Sequence, residues 1–391
     1  MNFQFADRMA GVPRSFIREI LKVASDTSFI SFAGGLPNKD LFPVEALAKA
    51  TEFVFKNDGK TALQYSTSEG HLPLRKYIAQ RYKEKKGIDI SPEHILITTG
   101  SQQGLDLLAK IFINEDDNVL MEEPGYLGAI QAFSIFKPNF TSVPLHQDGM
   151  DIELLHKALM RGRIKLFYSV PNFQNPSGIT YSNQNREEVA RLLKKAGVVM
   201  IEDDPYGELR FIGEQQKSFK QIIPDQVILL GSFSKIIAPS FRIGWVAAPA
   251  EVFEKLVIAK QAADLHTNFL GQKIITRFLE ENSLDEHIAR ITTVYGRQRE
   301  AMVNALLTYM PNSVHYTLPE GGMFLWLTLP HGKSSMELFN KCIERKVAFV
   351  PGNPFYINKG DVPTLRLNFS CSNEEEIVEG ISRIAQALKE I

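Results

Sequence analysis

The 391-residue sequence contains little cysteine and no excess of either charge. Its two cysteines, Cys342 and Cys371, are too few for a disulfide framework or a cysteine-rich metal site, so we expect no bound metal. The 44 basic and 45 acidic residues leave a formal net charge of −1. A nearly neutral chain lacks the electrostatic signature of proteins that bind nucleic acid or anionic membranes, so we expect neither partner.

Long apolar runs are also missing. No window reaches the ~18 to 20 apolar residues that a membrane helix needs. The N-terminal stretch carries charged residues such as Arg14 and Arg18 and lacks the continuous apolar core of a signal peptide, so we expect a cytoplasmic protein. The contents of hydrophobic residues (44%) and charged residues (23%) are ordinary for a soluble globular protein. The length exceeds the size at which one hydrophobic core stops growing, which favours two domains.

The region from about residue 90 to 250 alternates short apolar runs with helical periodicity. Helical stretches such as Leu105–Ile113 and Arg186–Ala196 separate several of the runs. Strand and helix repeated in this way predict an α/β fold with a mostly parallel, seven-stranded sheet flanked by helices. The predicted strands are His94–Thr98, Asn118–Met121, Thr141–Pro144, Ile164–Val170, Val198–Glu202, Val227–Leu230 and Gly244–Ala247.

The pattern changes near Leu284. A long helix (285–309) is followed by shorter helices and by the strands Phe324–Leu327 and Thr364–Phe369, which predicts a smaller α+β domain. We therefore divide the chain into an N-terminal segment (1–45) that packs with the small domain, a large domain (46–284) and a small C-terminal domain (285–391).

The motif Gly231–Lys235 directly follows the predicted strand Val227–Leu230, and Arg242 lies seven residues further on. A lysine amine can form a Schiff base with an aldehyde cofactor, while Ser232, Ser234 and Arg242 can hold its phosphate. Pyridoxal 5′-phosphate needs this pairing of groups. A lone Ser-x-Ser-Lys is more often a solvated loop, so this motif identifies a cofactor site only together with motifs elsewhere in the chain.

Two further motifs follow the first predicted strands. Gly100–Gly104 opens a helix, whose free N–H groups attract an anion. The alternative is a glycine-rich turn from strand to helix that binds no ligand. Tyr126, after Glu122–Gly125, offers a flat face to a heteroaromatic ring, or it packs on the surface.

The predicted strands Ile164–Val170 and Val198–Glu202 are followed by candidate contacts to the ring of a cofactor. Asn175 could donate to a phenolate-like oxygen, although Asn-Pro and Ser-Gly are also plain turn formers. Asp203 could pair with a protonated pyridine nitrogen, with Tyr206 as a second donor to the ring oxygen. Adjacent acids are usually solvated, and this alternative weighs most for Asp204.

Arg366 lies in the alternating stretch Leu365–Ser370, where apolar and polar residues take opposite faces of a strand. The polar face is either solvated or carries an arginine that grips an α-carboxylate with two parallel hydrogen bonds.

Taken together, the order of these motifs resembles the class I/II aminotransferases of PLP fold type I, from Ser31 to about Ser370. The motif Gly231–Lys235 followed by Arg242-Ile243-Gly244-Trp245 is most similar to the branch of 2-aminoadipate and aromatic amino-acid aminotransferases. The stretch Ser31–Pro37 is similar to the same branch.

This resemblance implies a role for each motif residue. Lys235 would bind the aldehyde of pyridoxal 5′-phosphate and serve as general base. Asp203 would pair with the pyridine nitrogen, Asn175 and Tyr206 with the ring oxygen, and Tyr126 would stack on the ring. The phosphate would be held by Ser101, Gln102, Ser232, Ser234 and Arg242.

The resemblance also implies substrate contacts and a partner. Arg366 would bind the substrate carboxylate in a pocket lined by Gly35 and Asn175. Tyr65 would reach the phosphate of a neighbouring subunit, which implies a homodimer with shared active sites. Arg18 would lie on a mobile helix that caps the substrate and would pair with a distal carboxylate; an amphipathic helix with a solvated arginine is the alternative.

The implied reaction moves the amino group of an L-amino acid to a 2-oxo acid such as 2-oxoglutarate by a ping-pong mechanism. The donor stays open among 2-aminoadipate, aromatic, branched and glutamate. A carbon–sulfur β-lyase or a decarboxylase of the same fold is the alternative. A non-catalytic sensor is disfavoured, because Gly34–Gly35 comes too early for a preceding DNA-binding domain.

Overall fold

A computed structural model describes residues 3–9, 28–357 and 360–391. In these ranges the strands are β1 (Ile30–Ser31), β2 (Ile95–Thr99), β3 (Asn118–Glu123), β4 (Asn139–His146), β5 (Gly149–Met150), β6 (Ile164–Ser169), β7 (Val199–Asp203), β8 (Val227–Ser232), β9 (Ile243–Ala247), β10 (His315–Tyr316), β11 (Phe324–Thr328), β12 (Val347–Ala348), β13 (Val350–Pro351) and β14 (Thr364–Asn368).

The α-helices of the same ranges are α1 (Val44–Ala62), α2 (Leu72–Lys86), α3 (Gly100–Phe112), α4 (Leu127–Ser134), α5 (Ile152–Arg161), α6 (Asn183–Ala196), α7 (Phe219–Ile222), α8 (Ala250–Ala263), α9 (Phe269–Glu281), α10 (Leu284–Tyr309), α11 (Ser335–Glu344) and α12 (Glu374–Leu388). Short 3-10 turns cover Asp7–Met9, Lys39–Leu41, Pro92–His94, Pro239–Phe241 and Asn353–Phe355. Among the described residues, no helix is long and apolar enough to cross a membrane.

The large sheet has the strand order β2-β9-β8-β7-β6-β3-β4-β5. The neighbours from β8 to β4 pair in parallel, whereas β9 runs antiparallel to both of its neighbours. All seven predicted strands are present, so the predicted α/β fold with a mostly parallel sheet is confirmed. The eighth strand, β5, is antiparallel to β4 and has only two residues, too few to give a periodic pattern.

The centre of this sheet is buried on both faces. Every residue of β8 is buried, and so are four of the five residues of β7. Parallel strands covered by helices on both sides read as continuous apolar runs, which is why these strands could be predicted. Their carboxyl ends meet at one edge of the sheet.

Helix α3 begins at Gly100, five residues before the predicted start at Leu105. The side chain of Gln103 accepts a hydrogen bond from the backbone N–H of Thr99, the residue before the helix, at 2.8 Å, which satisfies one donor at the helix N-terminus. The polar residues that predicted a turn therefore form the first turn of the helix.

A second sheet has the order β10-β11-β14-β13, with antiparallel neighbours throughout. The N-terminal segment joins this part of the chain, because β1 pairs in parallel with β12 through Ile30 opposite Val347. The domain boundaries at residues 45 and 284 stay a prediction.

Candidate active site

Lys235 lies just beyond the carboxyl end of β8, beside the end of β7. Its Nζ donates a hydrogen bond to the carbonyl oxygen of Gly35 at 2.6 Å, so the N-terminal segment contacts the central strands at this point. Asp203 is the last residue of β7 and pairs with Leu230 of β8. Ligands of open α/β sheets bind at this edge, outside the carboxyl ends of the strands.

The surroundings of Lys235 favour its neutral amine. Burial, together with the positive charges of Arg366 and Arg242, lowers the pKa of the Lys235 ammonium to about 8. Desolvation and like charges both penalise the protonated form. A lysine with such a pKa can act as a nucleophile and as a base near neutral pH.

The carboxylate of Asp203 is almost fully buried. Its Oδ2 accepts a hydrogen bond from the hydroxyl of Tyr168 at 2.8 Å, whereas its Oδ1 is buried without a partner. Burial raises the pKa of the Asp203 carboxyl to about 7, and the bond from Tyr168 opposes this rise. Sequence reasoning missed Tyr168; the available signal was a tyrosine within an apolar strand, since a buried hydroxyl usually needs a partner.

The neighbouring acid is not solvated. The side chain of Asp204 is 3% exposed and pairs with Lys86 from helix α2. It also accepts a hydrogen bond from Asn172 at 2.8 Å. Asp204 is therefore part of a buried network behind the site, so the solvated alternative was wrong for this residue.

Arg366 and Asn175 meet across the two sheets. Arg366 Nη1 donates to Asn175 Oδ1 at 2.8 Å, and Nη2 donates to the carbonyl oxygen of Ala33 at 2.7 Å. The guanidinium also packs over the ring of Phe324, 4.4 Å from its centroid. Arg366 is 3% exposed, so the polar face of this strand is buried and the solvated alternative was wrong. Burial lowers the pKa of the Arg366 guanidinium to about 10, and it stays charged near neutral pH.

Tyr206 lies beside this pair. Burial raises the pKa of its hydroxyl, and a side-chain hydrogen bond with Asn175 opposes the rise. Its ring meets Phe324 edge-on at 5.8 Å. The hydroxyl therefore stays protonated and can donate a hydrogen bond.

The start of helix α3 is held close to Arg242. Gly100 has a φ of +70°, and a Cβ there would overlap the Arg242 guanidinium, lying 2.9 Å from Cζ. A Cβ on Gly244 would lie 2.7 Å from the backbone nitrogen of Ser101. Both glycines thus bring the helix N-terminus and a guanidinium together, which suits an anion.

Three other residues predicted to hold a phosphate, Gln102, Ser232 and Ser234, also form hydrogen bonds. The hydroxyl of Ser232 donates to that of Ser234 at 2.9 Å, and both side chains are buried. Gln102 donates to the carbonyl oxygen of Gly128 at 2.8 Å, in the first turn of helix α4, which Tyr126 caps. The Tyr126 ring stacks at 6.5 Å on that of Tyr168, the hydrogen-bond partner of Asp203. Burial first, and then the charge of Asp203, raise the pKa of the Tyr126 hydroxyl to about 12.

Of the two remaining predicted residues, the structure describes one, Tyr65. Tyr65 is 78% exposed, and its ring meets His266 edge-on at 5.8 Å. Arg18 lies outside the described residues.

The donor set fits pyridoxal 5′-phosphate. The unpartnered Asp203 Oδ1 can accept a hydrogen bond from a protonated pyridine nitrogen, and the unpartnered Nε of Arg366 leaves a donor for a carboxylate. In the described part of the chain, no group of three or more His, Cys, Asp or Glu side chains could hold a metal ion.

Known proteins resemble this chain over most of its length. The family model described as aminotransferase class I and II matches residues 28–384. An aromatic-amino-acid aminotransferase of Thermococcus litoralis is 42% identical to this protein, in an alignment that covers 99% of this chain and 94% of the relative's chain.

Two solved structures are similar to this protein, and each superposition covers 99% of this chain and 97% of the matched chain. One is a kynurenine aminotransferase of Pyrococcus horikoshii in complex with PMP, at 40% identity and a TM-score of 0.95. The other is an alpha-aminoadipate aminotransferase of Thermus thermophilus complexed with N-(5′-phosphopyridoxyl)-L-leucine, at 41% identity and a TM-score of 0.92. The chain belongs to the class I and II aminotransferases, in the branch of aromatic-amino-acid and 2-aminoadipate aminotransferases, and is an enzyme whose cofactor is pyridoxal 5′-phosphate.

Proposed function

We propose that this aminotransferase works through Lys235 as its catalytic amine. It takes the amino group from aromatic, branched or acidic L-amino acids and passes it to 2-oxo acids such as 2-oxoglutarate. The observation that carries this proposal is the place of Lys235, directly after the buried strand β8, where its half-buried amine contacts the carbonyl oxygen of Gly35. Burial and the charges of Arg366 and Arg242 lower the pKa of this amine. When bound, the cofactor supplies an aldehyde that captures amino groups and a ring that withdraws electrons.

Lys235 handles the proton in this scheme. Its Nζ would accept the proton from the substrate Cα and deliver it to the carbon that the aldehyde of the cofactor supplies. Because burial, Arg366 and Arg242 disfavour the ammonium form, a large fraction of the amine is neutral near pH 8 and ready to accept that proton. Asp203 has a different role, because its unpartnered oxygen holds a positive pyridine nitrogen and so keeps the ring electron-poor.

Arg366 binds and orients the substrate. Its planar guanidinium presents parallel N–H groups to the α-carboxylate, a geometry that a lysine cannot reproduce. Asn175 holds the guanidinium from one side and, with Tyr206, donates toward the ring oxygen of the cofactor. Gly35 lines this pocket without a side chain that would narrow it. Arg18 stays a proposed contact to a distal carboxylate.

Ser101, Gln102, Ser232, Ser234 and Arg242 form the proposed phosphate site, and Tyr126 lies against the ring. The support is the junction at which Gly100 and Gly244 bring a helix N-terminus beside the Arg242 guanidinium. Backbone N–H groups and a guanidinium are the donors that bind phosphate most strongly.

A methyl group at position 100 tests this site. We expect Gly100→Ala to weaken cofactor binding at least about tenfold, since displacing one charge-assisted hydrogen bond costs roughly 1.5–3 kcal/mol. The added Cβ would push the Arg242 guanidinium aside. Equilibrium dialysis of the holoenzyme against decreasing cofactor measures the dissociation constant.

Gly197→Ala is the matched control for this change. Gly197 has a similar φ of +66° but no atom within 4 Å of the added Cβ, so it carries the backbone strain alone. If both variants keep the wild-type dissociation constant, Arg242 does not hold the phosphate.

The range of donors is proposed from the relatives, whose names give aromatic amino acids, kynurenine and 2-aminoadipate as substrates. Arg366 contacts the group that all of these share. The test mixes stoichiometric holoenzyme with phenylalanine, kynurenine, leucine, 2-aminoadipate or glutamate, without a 2-oxo acid. We expect up to one equivalent of 2-oxo acid per site and then a stop, with turnover resumed by 2-oxoglutarate. Continuous release of carbon dioxide and an amine would instead identify a decarboxylase. In a parallel incubation with a cysteine S-conjugate, continuous release of a thiol, pyruvate and ammonia would identify a carbon–sulfur lyase.

We also propose a homodimer with shared sites in the cytoplasm. Tyr65 is exposed, and so are Leu63, two residues before it, and Leu265, the neighbour in sequence of His266, whose ring meets that of Tyr65. Exposed apolar side chains of this kind suit a contact with a second copy. The free thiols of Cys342 and Cys371 suit a reducing compartment. A monomer in sedimentation equilibrium would contradict the shared site.

A further inference from the structure

Tyr168 holds a carboxylate of the site from inside the sheet. It lies on β6, one strand away from Asp203, and is fully buried. Its hydroxyl donates to Asp203 Oδ2 at 2.8 Å. Two aromatic neighbours fix the ring: Phe133 packs edge-on at 5.8 Å, and Tyr126 stacks at 6.5 Å with an interplanar angle of 27°. The hydroxyl therefore has little freedom to leave the carboxylate.

Asp203 has few other sources of support. Among the described residues, the Tyr168 hydroxyl is the one hydrogen-bond donor to its side chain. The charged neighbours that act on it, Asp204 and Glu122, are themselves acids and oppose its ionisation. Lys86 forms its ion pair with Asp204, not with Asp203. Ionised Asp203 thus depends on one phenol.

The phenol stays a donor under all working conditions. Burial raises the pKa of the Tyr168 hydroxyl well above its usual range, and the charge of Asp203 adds to the rise. A neutral phenol donates to a carboxylate and gains more from an ionised acceptor than from a protonated one.

We propose that Tyr168 is a positioning residue for the cofactor. Its hydroxyl turns the Asp203 carboxylate so that Oδ1 is left for the pyridine nitrogen, and it favours the carboxylate–pyridinium pair over the neutral pair. Loss of the phenol moves one proton from that nitrogen to Asp203, and the ring becomes a weaker electron sink. This inference rests on the proposed contact between Asp203 and the pyridine nitrogen.

The test observes the proton directly. Holoenzyme is loaded with cofactor labelled with ¹⁵N in the pyridine ring, and the ¹⁵N resonance is recorded between pH 6 and pH 9. In Tyr168→Phe we expect the resonance to move toward the position of neutral pyridine. The midpoint of its titration should fall by about one pH unit, because a hydrogen bond to a charged group contributes roughly one pKa unit.

Tyr181→Phe is the matched control. Tyr181 is also fully buried, and its hydroxyl donates to a buried carboxylate, Glu122, at 2.8 Å. Both changes remove one hydroxyl at nearly equal side-chain volume, but only the hydroxyl at position 168 donates a hydrogen bond to Asp203. A resonance that stays at the wild-type position in Tyr168→Phe overturns the inference, and so does an equal displacement in both variants.

A second variant keeps the test informative if Tyr168→Phe folds poorly. Replacing Tyr168 with 3-fluorotyrosine makes the phenol a stronger donor, so the resonance should move the opposite way. An unchanged or reversed displacement overturns the inference.

Asp203→Asn separates the two proposals. A nitrogen that stays protonated in Asp203→Asn refutes the contact with Asp203 and the inference with it. Deprotonation in Asp203→Asn, with no effect in either variant at position 168, refutes the role of Tyr168 alone.

Discussion

The Lys235→Ala enzyme should have no measurable transamination, with kcat lower by a factor on the order of 10⁵. The change removes both the amine that binds the cofactor aldehyde and the base that moves the α-proton. The fold should remain, because the lost side chain makes one hydrogen bond, to Gly35, worth about 1 kcal/mol. Steady-state kinetics with thermal unfolding of the same preparations measures both quantities.

Lys220→Ala is the control for this loss. The pKa of the Lys220 ammonium is also lowered by burial, but its Nζ donates to the carbonyl oxygen of Val227 at the opposite end of β8. We expect near-wild-type kcat in Lys220→Ala. Retention of turnover in Lys235→Ala, or an equal loss in both variants, would move the catalytic amine elsewhere.

Arg366→Lys should lower kcat/KM for amino acids by about 10²-fold or more, mainly through KM. Lysine keeps the positive charge but cannot present two parallel N–H groups, and breaking a buried, hydrogen-bonded charge contact costs about 2–5 kcal/mol. The contact to Asn175 Oδ1 would also be weakened. Kinetics with an amino acid, alongside the cofactor dissociation constant, separates substrate binding from cofactor binding.

The expected dissociation constant of the cofactor changes less than about threefold in Arg366→Lys, since Arg366 faces the substrate. Arg345→Lys is the control in the C-terminal part of the chain: its guanidinium is paired with Glu390 at the surface, and we expect no effect on KM. Wild-type KM in Arg366→Lys would show that another group binds the carboxylate.

Sequence patterns predicted most of the fold because its central strands are continuous apolar runs. Because those strands are covered on both faces, each contains a continuous apolar run. Each could therefore be recognised as a strand without knowing which strands lie beside it. The two-residue strand Gly149–Met150 carries no such pattern. The early start of the helix at Gly100 was missed because Gly100 and Gly104 are typical of a turn, whereas here both lie within the helix.

The candidate site residues that could be predicted from the sequence are those that lie at or just after the ends of strands. Parallel strands end at one edge, so Asp203, Asn175 and Lys235 had to converge there. The pairing of Asp204 with Lys86 could not be predicted, because it joins a strand end to a helix distant in the chain. The bond from Tyr168 to Asp203 links two strands whose order in the sheet the sequence does not specify.

Reduction of the holoenzyme with borohydride, followed by peptide mapping, tests the central claim most directly. Borohydride fixes the cofactor on the amine that holds it. We predict that the peptide containing Lys235 carries the reduced cofactor. Label on a different lysine, or an unlabelled Lys235 peptide, would contradict the assignment of Lys235 as the catalytic amine.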